Sequence, residues 1–365
     1  MKRILALAPL FIACSGTDVG VTEDAIKDRS GALDDFFVIA ADYQPHQNFD
    51  TWKKRGVNAM IRVPNNDSIG DWTQKANQLG LKMIREPRND PKDDLGEKNL
   101  LAWHLADEPE LHQTPVSSIK DEASKLRNID PNRPLSINFW GGGILQNADG
   151  CFGSYCYEDY IKHADWVSDD IYPCNKYGCD IDVVGRALTR LRHWTDAPRR
   201  AFAYIETSDW DGNGTGPSAR RWRAEVFDAI IHGARGVFYF AVRLQNGHCC
   251  ADYDATPGDV ADEMKIVHPR LEKLASVLQG QVDPPGASMN VDHPLEVGWR
   301  HGKDGWYFIV LNTSDKTVKN AHLRLHGVHP SKADVLFSSR VLNVNGDNDI
   351  VADFDPYEEH VYRVQ

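Results

Sequence analysis

Two apolar runs in the chain end abruptly in carboxylates. Leu101-Ala102-Trp103-His104-Leu105-Ala106 runs into Asp107-Glu108-Pro109-Glu110, and Ala201-Phe202-Ala203-Tyr204-Ile205 runs into Glu206-Thr207. Pro109 stops the first run and fixes the turn after it. A carboxyl at the end of a buried segment suits proton transfer, because burial or a neighbouring carboxylate raises its pKa toward neutrality. Two carboxyls set face to face suit the cleavage of a glycosidic bond: one protonates the leaving oxygen while the other attacks or stabilises the anomeric carbon. Asp107 and Glu108 are neighbours on a pleat and are expected to point opposite ways, so they need separate explanations. Asp42 and Asp170 end two other runs and are candidates for binding hydroxyls or for structural hydrogen bonds. Glu86 lies between Arg85 and Arg88 and is expected in an ion pair.

Those carboxylates need a frame. From residue 36 to about residue 245, short runs rich in Val, Ile, Phe and Tyr alternate with amphipathic or polar stretches, the pattern of buried parallel strands. The runs are Phe37–Ala41, Ala59–Val63, Lys82–Arg85, Leu101–Ala106, Leu135–Phe139, Trp166–Ile171, Ala201–Ile205 and Gly236–Ala241. Helices are expected over Phe49–Arg55, Trp72–Leu79, Ser117–Asn128, Tyr157–Ala164, Val183–Trp194, Ala219–Ala234 and Val260–Leu278, with none in the polar third interval. Eight such units predict a (β/α)8 TIM barrel over 36–280, with its site at the carboxyl ends of the strands. A doubly wound sheet would carry a glycine-rich phosphate loop after the first strand. That strand ends Ala41-Asp42-Tyr43-Gln44 instead, and Gly141-Gly142-Gly143 lacks the Lys-Ser/Thr of a nucleotide loop, so no cofactor is expected. Pro284-Pro285-Gly286 breaks the pattern. Residues 287–365 then read as a small all-β sandwich, with strands near Trp306–Leu311, His322–Leu325, Asp334–Phe337 and His360–Val364.

In barrel order the two carboxylate endings fall on strands four and seven. This resembles the large clan of retaining (β/α)8 glycoside hydrolases over residues 36–245, as a pattern of strand endings. The resemblance implies Glu108 as acid/base and Glu206 as nucleophile. It implies Arg62, in Ile61-Arg62-Val63-Pro64, as the cation supporting that nucleophile, and Tyr172, in Ile171-Tyr172-Pro173, as an aromatic donor to it. The terminal strand Tyr357-Glu358-Glu359-His360-Val361-Tyr362 resembles the C-terminal domains of such enzymes. Two positions depart from the clan: Asp107 stands where Asn is usual, and Phe238-Tyr239-Phe240-Ala241 lacks a strand-eight Trp. The Asp107-Glu108 pair also resembles the substrate-assisted N-acetylhexosaminidases, in which the Asp orients a 2-acetamido group that does the nucleophile's work. Glu206 speaks against that alternative, because such enzymes need no strand-seven nucleophile. Tyr43, Trp140 and Trp210 follow strand ends and are candidate sugar platforms.

The composition fits a carbohydrate partner and no nucleic acid. The formal net charge of the 365 residues is −12, opposite to the basic face that nucleic-acid binding requires. Ten Trp are available to face sugar rings. Lys2 and Arg3 precede the apolar stretch Ile4–Ala13, the form of an export signal, and Phe11-Ile12-Ala13-Cys14 resembles a bacterial lipobox. Residues 1–14 are therefore expected to be a signal with Cys14 as the lipidated residue and membrane anchor, and residues 15–35 a tether. The protein would then be exported, either lipid-anchored at the cell envelope or secreted. The other six Cys fall in pairs, Cys151 with Cys156, Cys174 with Cys179 and Cys249 with Cys250, as suits disulfides in an oxidising compartment. His248 and Asp252 offer a metal alternative to the last pair, but their spacing matches no standard zinc pattern, and no metal is expected. A non-catalytic carbohydrate-binding lipoprotein on a decayed barrel and a metal-dependent hydrolase are the remaining classes. The second would need clustered His, and only His46 and His104 fall near strand ends.

Overall fold

The computed structural model describes residues 33–245 and 248–365. The export signal, Cys14 and most of the tether lie outside the described residues. Eight parallel strands close into a barrel: β1 (Val38–Asp42), β2 (Ala59–Ile61), β3 (Lys82–Arg85), β4 (Leu100–Asp107), β5 (Leu135–Trp140), β6 (Trp166–Asp170), β7 (Arg200–Glu206) and β8 (Gly236–Phe240). β8 pairs with β1, so no edge is left unpaired.

The strands alternate as the pleat requires. Val38, Ala40, Ala59, Ile61, Ile84, Ala102, Trp166, Phe202, Tyr204 and Phe238 form one cluster inside the barrel. The intervening residues, such as Ile39, Met60, Met83, Trp103 and Ile137, pack outward against the helices. Leu33 is fully buried in the inner cluster, which corrects the expected extent of the tether: the fold already includes residue 33.

The surrounding helices are α1 (Phe49–Lys54), α2 (Ile69–Leu79), α3 (Val116–Ile129), α4 (Gly141–Gln146), α5 (Tyr157–Ile161), α6 (Pro173–Lys176), α7 (Val183–His193), α8 (Ala219–Ile231) and α9 (Gly258–Leu278). Their ends follow local chemistry. The Ser68 hydroxyl accepts from the Gly70 and Asp71 amides to start α2, and Gly80 closes it at φ +65°. Two short helices not expected from the sequence, α4 and α6, sit directly after β5 and β6 and shape the mouth of the barrel.

The third interval holds only a 3-10 turn, Pro91–Asp94, in agreement with its polar sequence. Asp94 replaces the missing helix as an anchor. Its fully buried carboxylate accepts two bonds from Arg85 of β3 (2.7 and 3.2 Å), one from Trp103 Nε1 of β4 (3.1 Å), and two from Arg88. These donors together outweigh the effect of burial and hold its pKa below the ordinary 3.8.

The C-terminal module is a two-sheet sandwich. One sheet has Ser288–Val291, Val318–His326 and Asp349–Phe354; the other has Glu296–Gly302, Gly305–Leu311, Glu359–Val364, Lys332–Val335 and Val341–Asn343. Its own core includes Phe308, Leu323, Ile350 and Tyr362. It is joined to the barrel by buried polar contacts: Glu359 pairs with Arg223 of α8 and Arg270 of α9, and Arg300 donates to the Ile230 carbonyl.

Removing the Asp94 carboxylate strands the buried Arg85 charge. Asp94→Ala is expected to destabilise the barrel by about 3–5 kcal/mol, measured as a lowered urea midpoint. A loss below about 1 kcal/mol would show that the turn does not depend on this anchor.

Candidate active site

The carboxyl ends of β4 to β8 surround a cavity of about 520 Å³ lined by Asp107, Glu108, Trp140, Asp170, Tyr172, Tyr204, Trp210 and Phe240, among others. A second cavity of about 550 Å³ lies over β1 to β4 and shares Arg62 and Asp107 with the first. Both volumes lie in the range of ligand sites, about 300–1,000 Å³.

Three strands enter this mouth through residues in the left-handed region: Tyr43 (φ +53°) after β1, Arg62 (φ +47°) after β2 and Glu108 (φ +43°) after β4. None is glycine, so each carries a conformational cost of about 1 kcal/mol or more, tolerable only where surrounding contacts fix it. The turn at Glu108 ends the pleat. Asp107 and Glu108 therefore both line the main cavity, instead of pointing opposite ways as alternation alone would have it.

Arg62 organises the floor. Its Nε donates to Asp42 Oδ1 (2.8 Å), its Nη2 to Asp42 Oδ2 and its Nη1 to Asp107 Oδ2. On the other side of Asp107, Asn138 Nδ2 donates to Oδ1 (3.1 Å), and Ser168 Oγ donates to Asn138 Oδ1 (2.8 Å), which fixes the amide orientation. Burial is the largest influence on Asp107 and pushes its pKa up. The Arg62 charge, with His104 and Asn138, outweighs it, and the pKa lies below the ordinary 3.8. Asp42 is buried more completely and rises to about 6 despite Arg62.

Glu108 has the opposite fate. Burial first, and then the Asp107 charge, raise its pKa, while the neighbouring Asp170 carboxyl at the end of β6 lowers it in part. Asp170 is pushed well above the usual range by burial and by Glu108. Two neighbouring buried carboxyls resist ionising together, and the pair favours one shared proton over two charges. Tyr172 Oη donates to Asp170 Oδ2 (3.3 Å).

Aromatic rings close the cavity. Tyr172 stacks on Phe240 with ring centroids 5.5 Å apart and lies 5.7 Å from Trp210, over which Lys176 Nζ sits at 4.5 Å. Trp140 forms the opposite wall, and its amide donates to Glu110 Oε1 (2.6 Å). Glu110 is fully buried, and burial raises its pKa to about 8. The triple glycine after β5 is a packing requirement. A Cβ at Gly141 would lie 2.8 Å from the Asp170 carbonyl oxygen, and one at Gly142 would lie 2.7 Å from the Trp140 ring.

The expected place of Glu206 opposite Glu108 is corrected. Glu206 does not line the cavity, and its carboxylate is taken by other donors. The amides of Cys174 and Asn175, at the start of α6, and the Asn175 side chain (2.6 Å) bind it. Its other neighbour is Glu225 of α8, fully buried, whose pKa burial and Glu206 itself raise well above the usual carboxylate range. The roles attached to Glu206 move with it: Arg62 supports Asp107, and Tyr172 donates to Asp170. Glu86 is likewise corrected. Arg85 and Arg88 both turn to Asp94, and the Glu86 carboxylate accepts only a long bond from the Val63 amide (3.4 Å) among the bonds of the described residues. Tyr43 lines the second cavity, and Trp140 and Trp210 the first. Asp170 was visible in the sequence as a strand ending, but nothing there showed its contact with Glu108.

Each Cys pair forms a disulfide: Cys151–Cys156 after β5, Cys174–Cys179 after β6 and Cys249–Cys250 after β8. Cys174, Glu206 and Glu225 are close enough together to hold a cation, but the Cys174 sulfur is already bonded to Cys179.

No protein-family model matches the chain, and no curated protein matches it in sequence. Solved structures do match in fold. An α-amylase from Geobacillus thermoleovorans, in complex with acarbose, superposes with a TM-score of 0.63 at 12% identity, covering 91% of this chain and 99% of that one. A GH42 β-galactosidase from G. stearothermophilus gives 0.63 at 10% identity over 91% of this chain and 98% of that one. AmyP in complex with maltose gives 0.59 at 9% identity over 92% and 98%. At these identities the likeness is one of fold: a (β/α)8 barrel followed by an all-β domain.

Carbon-13 titration of the cavity carboxyls should show Asp107 losing its proton below the ordinary 3.8 and the Glu108–Asp170 pair retaining one proton well above 4.5. Asp170→Asn leaves an amide donor but a single acid, so the upper step should disappear. Its persistence would place the retained proton elsewhere.

Proposed function

We propose that this protein is a glycoside hydrolase whose substrate carries a 2-acetamido sugar and supplies its own nucleophile. The observation that carries this is the splitting of two adjacent carboxyls. Arg62 holds the Asp107 carboxyl below the usual carboxylate range, while burial and the Asp107 charge raise that of Glu108. Titratable neighbours driven apart in this way take separate acid and charged roles. The withdrawal of Glu206 supports the same reading. The carboxyl coupled to Glu108 is Asp170 at the end of β6, not one at the end of β7.

The residues divide the work as follows. Glu108 delivers the proton it shares with Asp170 to the glycosidic oxygen as the bond to the anomeric carbon breaks. Asp107 accepts the N–H of the acetamido group, whose carbonyl oxygen attacks the same carbon and closes an oxazolinium ring. Glu108, now a carboxylate, takes a proton from a water that opens the ring with overall retention. Asp107 is bound on both oxygens but keeps lone pairs facing the cavity, where its side chain is 38% exposed. The aromatic walls suit a sugar face and an acetamido methyl. Neighbours of the same fold solved with acarbose and maltose support a carbohydrate substrate. The amino-terminal segment and the three disulfides support an exported enzyme anchored through Cys14.

On an aryl 2-acetamido-2-deoxyhexoside, Asp107→Ala and Glu108→Gln should each lower kcat by about 10²–10⁴-fold. Glu206→Gln should stay within tenfold of the parent. Activity should fall at high pH as the shared proton leaves, and at low pH only below 3.8, as Asp107 protonates. A collapse in Glu206→Gln, rescued by azide to give the inverted glycosyl azide, would instead establish Glu206 as a nucleophile.

A further inference from the structure

The main cavity does not account for the second one. The 550 Å³ groove over β1 to β4 is separated from it only by the Arg62–Asp107 pair, which lines both. One wall is Tyr43, aimed by its left-handed backbone, with the Arg62 guanidinium 5.7 Å from its ring centroid. Tyr253, after the hairpin that follows β8, extends this wall, with its ring centroid 6.3 Å from that of Tyr43 and its hydroxyl donating to Asn66 (2.8 Å). The opposite side presents Glu86, which enters no ion pair among the described residues, and buried His104, whose Nε2 has no hydrogen-bond partner among them.

The electrostatics select the ligand class. Arg62 is fully engaged by Asp42 and Asp107, and Asp67 is engaged by His46 (2.7 Å). Glu86 is left as an acceptor with spare capacity in a groove that Tyr43 also lines. A phosphate or uronate would meet a carboxylate there. A neutral polyol ring would find hydroxyl acceptors and an aromatic face.

We propose that this groove is a second saccharide site, so that the substrate is a neutral glycan of at least two sugar residues lying across the Arg62–Asp107 ridge. The proposal rests on the glycosidase activity proposed above, and names the size and charge of its substrate. Tyr43 stacks on the neighbouring sugar, and Glu86 accepts its hydroxyls. The acid Glu108 lies on the far side of the ridge with the sugar that reacts.

Two measurements test this. In the first, kcat/KM is compared between an aryl N-acetylglucosaminide and the β-1,4-linked trisaccharide of N-acetylglucosamine. The oligosaccharide preference should drop at least tenfold in Tyr43→Ala and in Glu86→Ala; an unchanged ratio in both variants overturns the proposal. In the second, Glu108→Gln protein is titrated calorimetrically with N-acetylglucosamine and with its disaccharide and trisaccharide. Each longer ligand should bind at least tenfold more tightly than the monosaccharide, and Tyr43→Ala should abolish the gain. Equal or undetectable binding across the series overturns it. A chain that hydrolyses nothing yet shows this gain would lose the proposed activity and keep the second site.

Discussion

Arg62 is the constraint on which the mouth of the barrel depends. A guanidinium buried at the ends of the strands cannot shed its charge, so it must be met by carboxylates. Asp42 and Asp107 meet it from β1 and β4, on either side of its own strand and β3. Once Arg62 has fixed Asp107 as an anion, the next carboxyl in the chain cannot cheaply ionise beside it. Arg62 thus adds, through Asp107, to the burial that already raises the pKa of Glu108.

The rest of the site follows from holding that cluster still. Left-handed residues after three strands aim Tyr43, Arg62 and Glu108 into the mouth, and each is held by its neighbours: the Glu108 amide, for example, donates to the Asn138 carbonyl at 2.8 Å. Ser168 and Asn138 carry the order from β6 through β5 to Asp107. The walls are stiffened in the same spirit. Glu110 fastens the Trp140 amide, the glycines after it allow the chain to lie against Asp170, and each of the three disulfides staples a loop following β5, β6 or β8. The barrel supplies the rigidity, and its loops supply the chemistry.

Much of the frame was legible in the sequence. The eight apolar runs, the polar third interval and the change of character near residue 287 all follow from burial and periodicity, which are local properties of the chain. Strand ends shifted by a residue or two, and the outer strands of the sandwich, such as Val341–Asn343, were missed because their exposed, irregular residues carry little periodic signal. Short α4 and α6 gave none, since α4 opens on three glycines and α6 is a single turn.

The sequence by itself determined that carboxylates would stand at the ends of strands four, six and seven, with an arginine after strand two and aromatic residues between, because each follows from where an apolar run stops. Only the tertiary structure decided which of them meet. The backbone turn at Glu108 put it beside Asp107 and Asp170, and the amides of α6 drew Glu206 out of the cavity toward Glu225. Those outcomes depend on which donor lies within about 3 Å of a carboxylate, and that distance is fixed by elements tens of residues apart in the chain. The same dependence turned Arg85 and Arg88 toward Asp94 and left Glu86 facing the second groove.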